Sequence, residues 1–158
     1  MRDIEEFVAS CRDAGSEGQK AVREVLRAAL DDPAGMIAML GEPTEAASHE
    51  LYCGPDMTIL NVVWAPLMTI HPHDHGLWAV IGLYTGGEDN ILWRRRPDRI
   101  EAAGARSLRA GDVATFGPEV VHSVTNPVDR FAGDINIYGG NFFEAPRSDW
   151  ETATLGVA

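Results

Sequence analysis

Cysteine is scarce, basic residues are outnumbered, and no long hydrophobic run interrupts this 158-residue chain. Only Cys11 and Cys53 are present, far apart and in no CxxC pair. That excludes a disulfide framework and makes a reducing compartment the default expectation. Acidic residues number 24 against 13 basic ones, a formal net charge of −11. Such a surface repels phosphate backbones and anionic lipid, which argues against nucleic acid or a membrane surface as partner. No apolar stretch approaches the length that crosses a bilayer. The opening Met1-Arg2-Asp3-Ile4-Glu5-Glu6-Phe7 lacks the apolar core of a signal peptide. A cytoplasmic location is expected. Internal repeats, low-complexity tracts and linkers are missing too, so residues 1–158 read as a single domain.

What is present begins with helix. Ile4, Phe7, Val8 and Cys11 recur at helical spacing, and Val22, Val25, Leu26, Ala29 and Leu30 do so again. Gly15 and Gly18 separate the segments, and Asp31-Asp32-Pro33 ends the second, since the residue before proline disfavours helix. A third short helix is expected over Pro33 to Leu40, stopped by Gly41. Residues 1–42 thus form a helical cover. From Leu51 the texture changes to short β-branched and aromatic runs cut by Gly, Pro, Asn and Asp. Expected strands are Thr58 to Trp64, Leu67 to Ile70, Trp78 to Tyr84, Asn90 to Arg96, Val113 to Phe116, Val121 to Thr125 and Asp134 to Tyr138. Closely spaced short strands without intervening helices predict a mainly β sandwich or barrel over residues 51–145.

Three of the five histidines sit in Ile70-His71-Pro72-His73-Asp74-His75-Gly76. On a strand, His73 and His75 would leave the same face and aim at one point inside a barrel. His122, after the turn around Gly117-Pro118, offers a third imidazole. Three neutral nitrogen ligands on one side of a metal leave its other positions open for substrate and O2. An HxH pair by itself is as often two polar residues at a strand end; the apolar strand after it and the distant His122 favour the metal. His71 shares the face but is bent away by Pro72 and reads as a rim residue.

These residues resemble a known family. His73-Asp74-His75 followed by Gly82, then Gly111-Asp112-Val113 through Pro118 and His122 to Asn126, resembles the two cupin motifs. The resemblance implies a cupin fold, a double-stranded β-helix or jelly-roll barrel. The usual glutamate ligand after HxH is replaced by Ala79 and Val80, which implies a three-histidine ligand set. With Tyr138-Gly139-Gly140 and Pro146-Arg147 downstream, the chain is similar to the thiol dioxygenases, cysteine dioxygenase and 3-mercaptopropionate dioxygenase. In that family a Ser-x-His-x-Tyr strand lies beside the iron; the matching residues here are Asp134, Asn136 and Tyr138. The resemblance implies a catalytic role for Tyr138, which on residue grounds alone could equally be a core aromatic. It also implies that Arg147 grips a substrate carboxylate, although Arg147 could instead pair with Glu144 or Asp149 on the surface. Cysteine dioxygenase's upstream arginine has no match in Tyr52-Cys53-Gly54-Pro55, and Val80 stands where some of those enzymes carry a cross-linking cysteine. Arg94, Arg95 and Arg96 read as surface ion pairs, and Trp78 and Trp93 as core or pocket-wall aromatics.

The expected activity is therefore an iron(II)-dependent dioxygenase of a small thiol/carboxylate substrate that oxidises the thiol to a sulfinate, with Zn, Ni or Mn as other candidate metals. The alternatives are a metal-dependent cupin isomerase or hydrolase, and a non-catalytic cupin that binds metal or a small molecule. The expected partners are the small substrate and O2; a homodimer is compatible with the reading.

Overall fold

The computed structural model describes residues 3–150, so the ends of the expected 1–158 domain lie outside the described residues. Helix α1 (Ile4–Gly15) starts where the Asp3 carboxylate accepts from the Glu6 N–H at 2.8 Å, satisfying a backbone donor that has no partner within the helix. Helix α2 (Gln19–Ala29) follows Gly18, and α3 (Pro33–Leu40) begins with Asp32 capping the Gly35 N–H at 3.0 Å. Nine strands follow: β1 (Ala47–Cys53), β2 (Thr58–Trp64), β3 (Thr69–His73), β4 (Ala79–Thr85), β5 (Gly87–Arg95), β6 (Ile100–Arg109), β7 (Val113–Phe116), β8 (Val121–Thr125) and β9 (Ala132–Tyr138). The three helices match expectation, as do β2, β7 and β8. Strands β1 and β6 were not anticipated.

The strands form two antiparallel sheets, β1-β2-β9-β4-β7 and β3-β8-β5-β6. The five-stranded sheet is covered on both faces, and its central strands show why. Along β4, Val80 and Tyr84 pack with the helices, while Ala79, Ile81 and Leu83 belong to a second cluster with Leu60, Phe116 and Tyr138. Along β9, Ile135 and Ile137 pack with the helices, so the two-residue period turns Asp134, Asn136 and Tyr138 to the barrel interior. Phe7, Cys11, Val22 and Leu26 are completely buried in the helix–sheet layer. Full burial of each large apolar side chain contributes about 1.5–3 kcal/mol. Gly82 leaves room for this packing: a Cβ would lie 2.5 Å from the Leu30 Cδ1 and 2.9 Å from the Leu26 Cδ2, so both leucine side chains would have to shift. The helices close the outside of one sheet and leave the space between the sheets to the functional residues.

Candidate metal centre

His73 ends β3 and is paired in register with His122 of the neighbouring β8, which sets two imidazoles side by side. His75 arrives differently from the sequence expectation. It lies beyond the end of β3, in the turn before β4, so strand alternation does not aim it. Asp74 does much of that work. It is 7% exposed, pairs with the Arg95 guanidinium, and accepts from the Ser148 N–H at 2.7 Å. Arg95 in turn lies 4.8 Å from the Trp150 ring. Gly76 completes the turn at φ +66, where a Cβ would collide with the Pro146 carbonyl at 2.2 Å. The HxH segment is thereby fastened to β5 and to the chain after β9.

The candidate ligand atoms of His73, His75 and His122 all lie within 4.8 Å of one another. His75 and His122 are buried and His73 is half-buried. The His73 Nδ1 is 2.9 Å from the His71 carbonyl, which only accepts, so Nδ1 carries the proton and Nε2 keeps its lone pair. The His122 Nδ1 is 2.7 Å from the Asn90 Oδ1, while the Asn90 amide donates to the Glu88 Oε1 at 2.9 Å. That chain gives His122 the same tautomer. Its Nε2 then lies 3.2 Å from the Nε2 of His75, a meeting of ring nitrogens that a shared cation would satisfy. Burial is the largest cause lowering all three pKa values, to about 3 for His75 and about 2 for His122; the field of His73 adds to it at His75, and those of His73 and His75 at His122. Neutral imidazoles are the ligating form. The donor set therefore fits a divalent metal.

Beside the triad is a cavity of about 190 Å³ lined by Leu60, Val62, Ile70 and Ile81 among apolar residues, and by Glu88, Asp134, Asn136 and Tyr138 among polar ones. The Tyr138 ring sits 5.1 Å from the His75 ring and stacks on Phe142 at 4.4 Å. Its hydroxyl donates to the Asn136 Oδ1 at 3.2 Å, and the Asn136 amide donates to Asp134. The Trp64 indole N–H also donates to Asp134, at 2.9 Å. Burial, then the negative field of Asp134, pushes the Tyr138 pKa far above its ordinary value, so the phenol stays protonated. Phe142 is held over the cavity because Thr58 accepts from its N–H at 3.0 Å and donates to the Gly140 carbonyl at 2.7 Å.

Arg147 is exposed at the rim, its guanidinium 4.0 Å over the Phe142 ring and donating to the Phe142 carbonyl at 3.0 Å. It makes no ion pair with Glu144 or Asp149 among the described residues; Asp149 lies 3.7 Å from His71 instead. His71 is exposed and stands outside the triad, as expected of a rim residue. Arg96 pairs with Glu101 at 2.9 Å, whereas Arg95 serves the histidine turn. Trp78 packs against the helical layer, and the Trp93 indole donates to Ser123 at 2.9 Å. Sequence reasoning missed Asn90 and Glu88. Their spacing on a strand behind His122 was the available signal, and nothing in an isolated Glu-x-Asn marks it.

No protein-family model matches the chain. Solved structures do resemble it. An uncharacterised conserved protein with a double-stranded β-helix domain from Klebsiella pneumoniae aligns at 17% identity and TM-score 0.56, over 70% of this chain and 90% of that one. An RmlC-like cupin family protein from Methanocaldococcus jannaschii aligns at 10% identity and TM-score 0.55, over 66% and 88% respectively. Oxalate decarboxylase from Bacillus subtilis aligns at 13% identity and TM-score 0.54 over 68% of this chain, which spans only 28% of that enzyme. At these identities the likeness establishes the fold: a mainly β, cupin-type double-stranded β-helix with helices at its N-terminal side. No helix among the described residues is long and apolar enough to cross a membrane.

Proposed function

We propose that the protein is an iron(II)-dependent dioxygenase that converts the thiol of a small, carboxylate-bearing substrate to a sulfinate in the cytoplasm. The observation that carries this reading is the convergence of His73, His75 and His122 as neutral candidate ligands beside the Tyr138 ring, with no carboxylate in the group among the described residues. The balance is simple: R–SH and O2 give R–SO2H, sulfur losing four electrons and O2 gaining them. Bound iron would supply the redox centre at which the two reactants meet. The chain's part is to hold them in register in a small cavity walled in part by Phe142. Tyr138 lines that space with its hydroxyl donating to Asn136, a bond it would exchange for one to the substrate, and Arg147 at the rim would fork onto a carboxylate. The partners in this reading are the substrate and O2, with a homodimer as a compatible assembly.

A second reading has its own support. Asp134 and Asn136 stand where the thiol dioxygenases carry serine and histidine, and the fold is shared with oxalate decarboxylase. A cupin enzyme of another class, such as an isomerase or hydrolase using Zn, Mn or Ni, or a non-catalytic metal-binding cupin, would use the same three imidazoles. Metal analysis of protein purified without air, followed by oxygen uptake with mercaptopropionate and cysteine, decides between them. Iron-dependent uptake with sulfinate formation supports the dioxygenase. Uptake with neither thiol removes it in favour of the second reading.

A further inference from the structure

Glu88 and Asp134 come from opposite sheets and meet inside the barrel, 2% and 1% exposed. Both line the same cavity as the histidines. They lie within hydrogen-bonding reach of each other, yet two ionised carboxylates are acceptors only and repel. Their other partners are neutral amides and an indole: Asn90 on Glu88, and Asn136 and Trp64 on Asp134. No arginine, lysine or histidine among the described residues forms an ion pair with either carboxyl. The Glu88 Oε2 is the one buried side-chain oxygen or nitrogen left without a hydrogen-bond partner among the described residues. A buried acceptor left unpaired costs about 1–3 kcal/mol, so such an atom invites a donor.

We infer that Glu88, backed by Asp134, forms a cation subsite that takes a primary ammonium group of the ligand held at the three histidines. The pair requires a positive donor between its oxygens. A proton meets that need by neutralising one acid, and burial together with the neighbouring Glu88 raises the Asp134 pKa in that direction. An ammonium group meets it better, bringing three donors and a full charge, and releases the proton it replaces. The cavity of about 190 Å³ has room for roughly six water-sized groups. One small molecule can therefore reach from the imidazoles to Glu88. Arg147, the cation at the rim, lies on the exposed side and is not bonded to the pair. The inference rests on this cavity being the ligand site, and it adds an amine to the ligand's chemistry.

The test is a titration of zinc-loaded protein, and of the same protein without metal, at one fixed neutral pH. Propylammonium is compared with propanol and propionate, following backbone amide shifts near Glu88 and Asp134. Charge-assisted hydrogen bonds predict that propylammonium binds about ten- to hundred-fold more tightly than propanol. Glu88→Gln keeps the size and can donate to Asp134, so the fold is retained, but it turns the free acceptor into a donor. The ammonium preference should collapse to about three-fold or less. If that variant does not fold, Glu88→Met carries the test, because it keeps a chain of similar length and removes the free acceptor oxygen, so the same collapse is expected. Equal binding of propylammonium and propanol to the wild type overturns the subsite, as does an unchanged preference in the folded variant. Failure of the dioxygenase reading would show as absent oxygen uptake with the ammonium preference intact, so the two outcomes are separable.

Discussion

The Nδ1 of His122 lies 2.7 Å from the Oδ1 of Asn90, joining a candidate metal-ligating position on β8 to a polar residue on β5. The bond holds the ring with its Nε2 toward His73 and His75, and Glu88 keeps the asparagine from flipping. Asn90→Ala should therefore weaken metal binding about 10–100-fold while the barrel stays folded. Competition with a chelator measures it. An unchanged affinity would show that packing alone orients His122.

Acid should destabilise the metal-free protein in a defined window. His75 and His122 have folded pKa values lowered from 6.5 to about 3 and about 2, so the unfolded chain binds protons first. Their contribution is complete above about 6.5 and is lost as pH falls toward those folded values, at about 1.4 kcal/mol per pH unit for each ring. Asp134 acts in the opposite sense. Its folded pKa is raised, so its contribution is present below the ordinary carboxyl range and is lost as pH rises. Two rings against one acid leave stability rising with pH from about 4 to 6.5, and Asp134→Asn should steepen the rise. Thermal melts across that range check it; a flat profile would mean that the imidazoles are not buried in neutral form.

Much of the barrel and its histidines was legible because the determining signals are local. Strands β2, β7 and β8 are short apolar runs bounded by turn residues, and His122 follows such a turn. Strand β6 was missed because Ile100–Arg109 is an edge strand with six consecutive exposed residues, rich in alanine and glycine, with no alternation to read. Strand β1 is similarly polar and lies at the edge of the other sheet. The HxH pair pointed to the right convergence for an incomplete reason. His75 is aimed by Asp74, Arg95 and Gly76 across long sequence separations, which no local period reveals. The Glu88–Asp134 contact belongs to the same class: it exists only once two sheets face each other.

Arg147 provides a direct test of what enters the rim. Its stacking on Phe142 and its bond to the Phe142 carbonyl hold the guanidinium near the cavity without committing it to a carboxylate. Arg147→Ala should raise KM for a carboxylate substrate about 10–100-fold with a smaller change in kcat, and Arg147→Lys should recover only part because the fork is lost. Steady-state kinetics with a matched substrate lacking the carboxylate is the control. An unchanged KM would return Arg147 to a packing role over Phe142.

Tyr138 separates the chemistry of the hydroxyl from the packing of the ring. The ring is fixed between His75 and Phe142, and Tyr138→Phe preserves those contacts. The lost hydroxyl leaves the Asn136 Oδ1 without its donor, a stability cost of about 1 kcal/mol that does not reach the metal ligands. Because burial, then the field of Asp134, holds the phenol protonated, the expected role is to donate to or orient the reacting groups. Removing such a group should lower kcat about 100-fold with metal content unchanged. Asn136→His, which restores the histidine found in the thiol dioxygenases, should alter activity or substrate preference through the same hydroxyl. Oxygen uptake by the iron-loaded wild type and both variants, with mercaptopropionate and cysteine, reads both effects. A Tyr138→Phe variant with full kcat would reduce Tyr138 to a wall of the cavity and leave the proposed chemistry to the three imidazoles and Arg147.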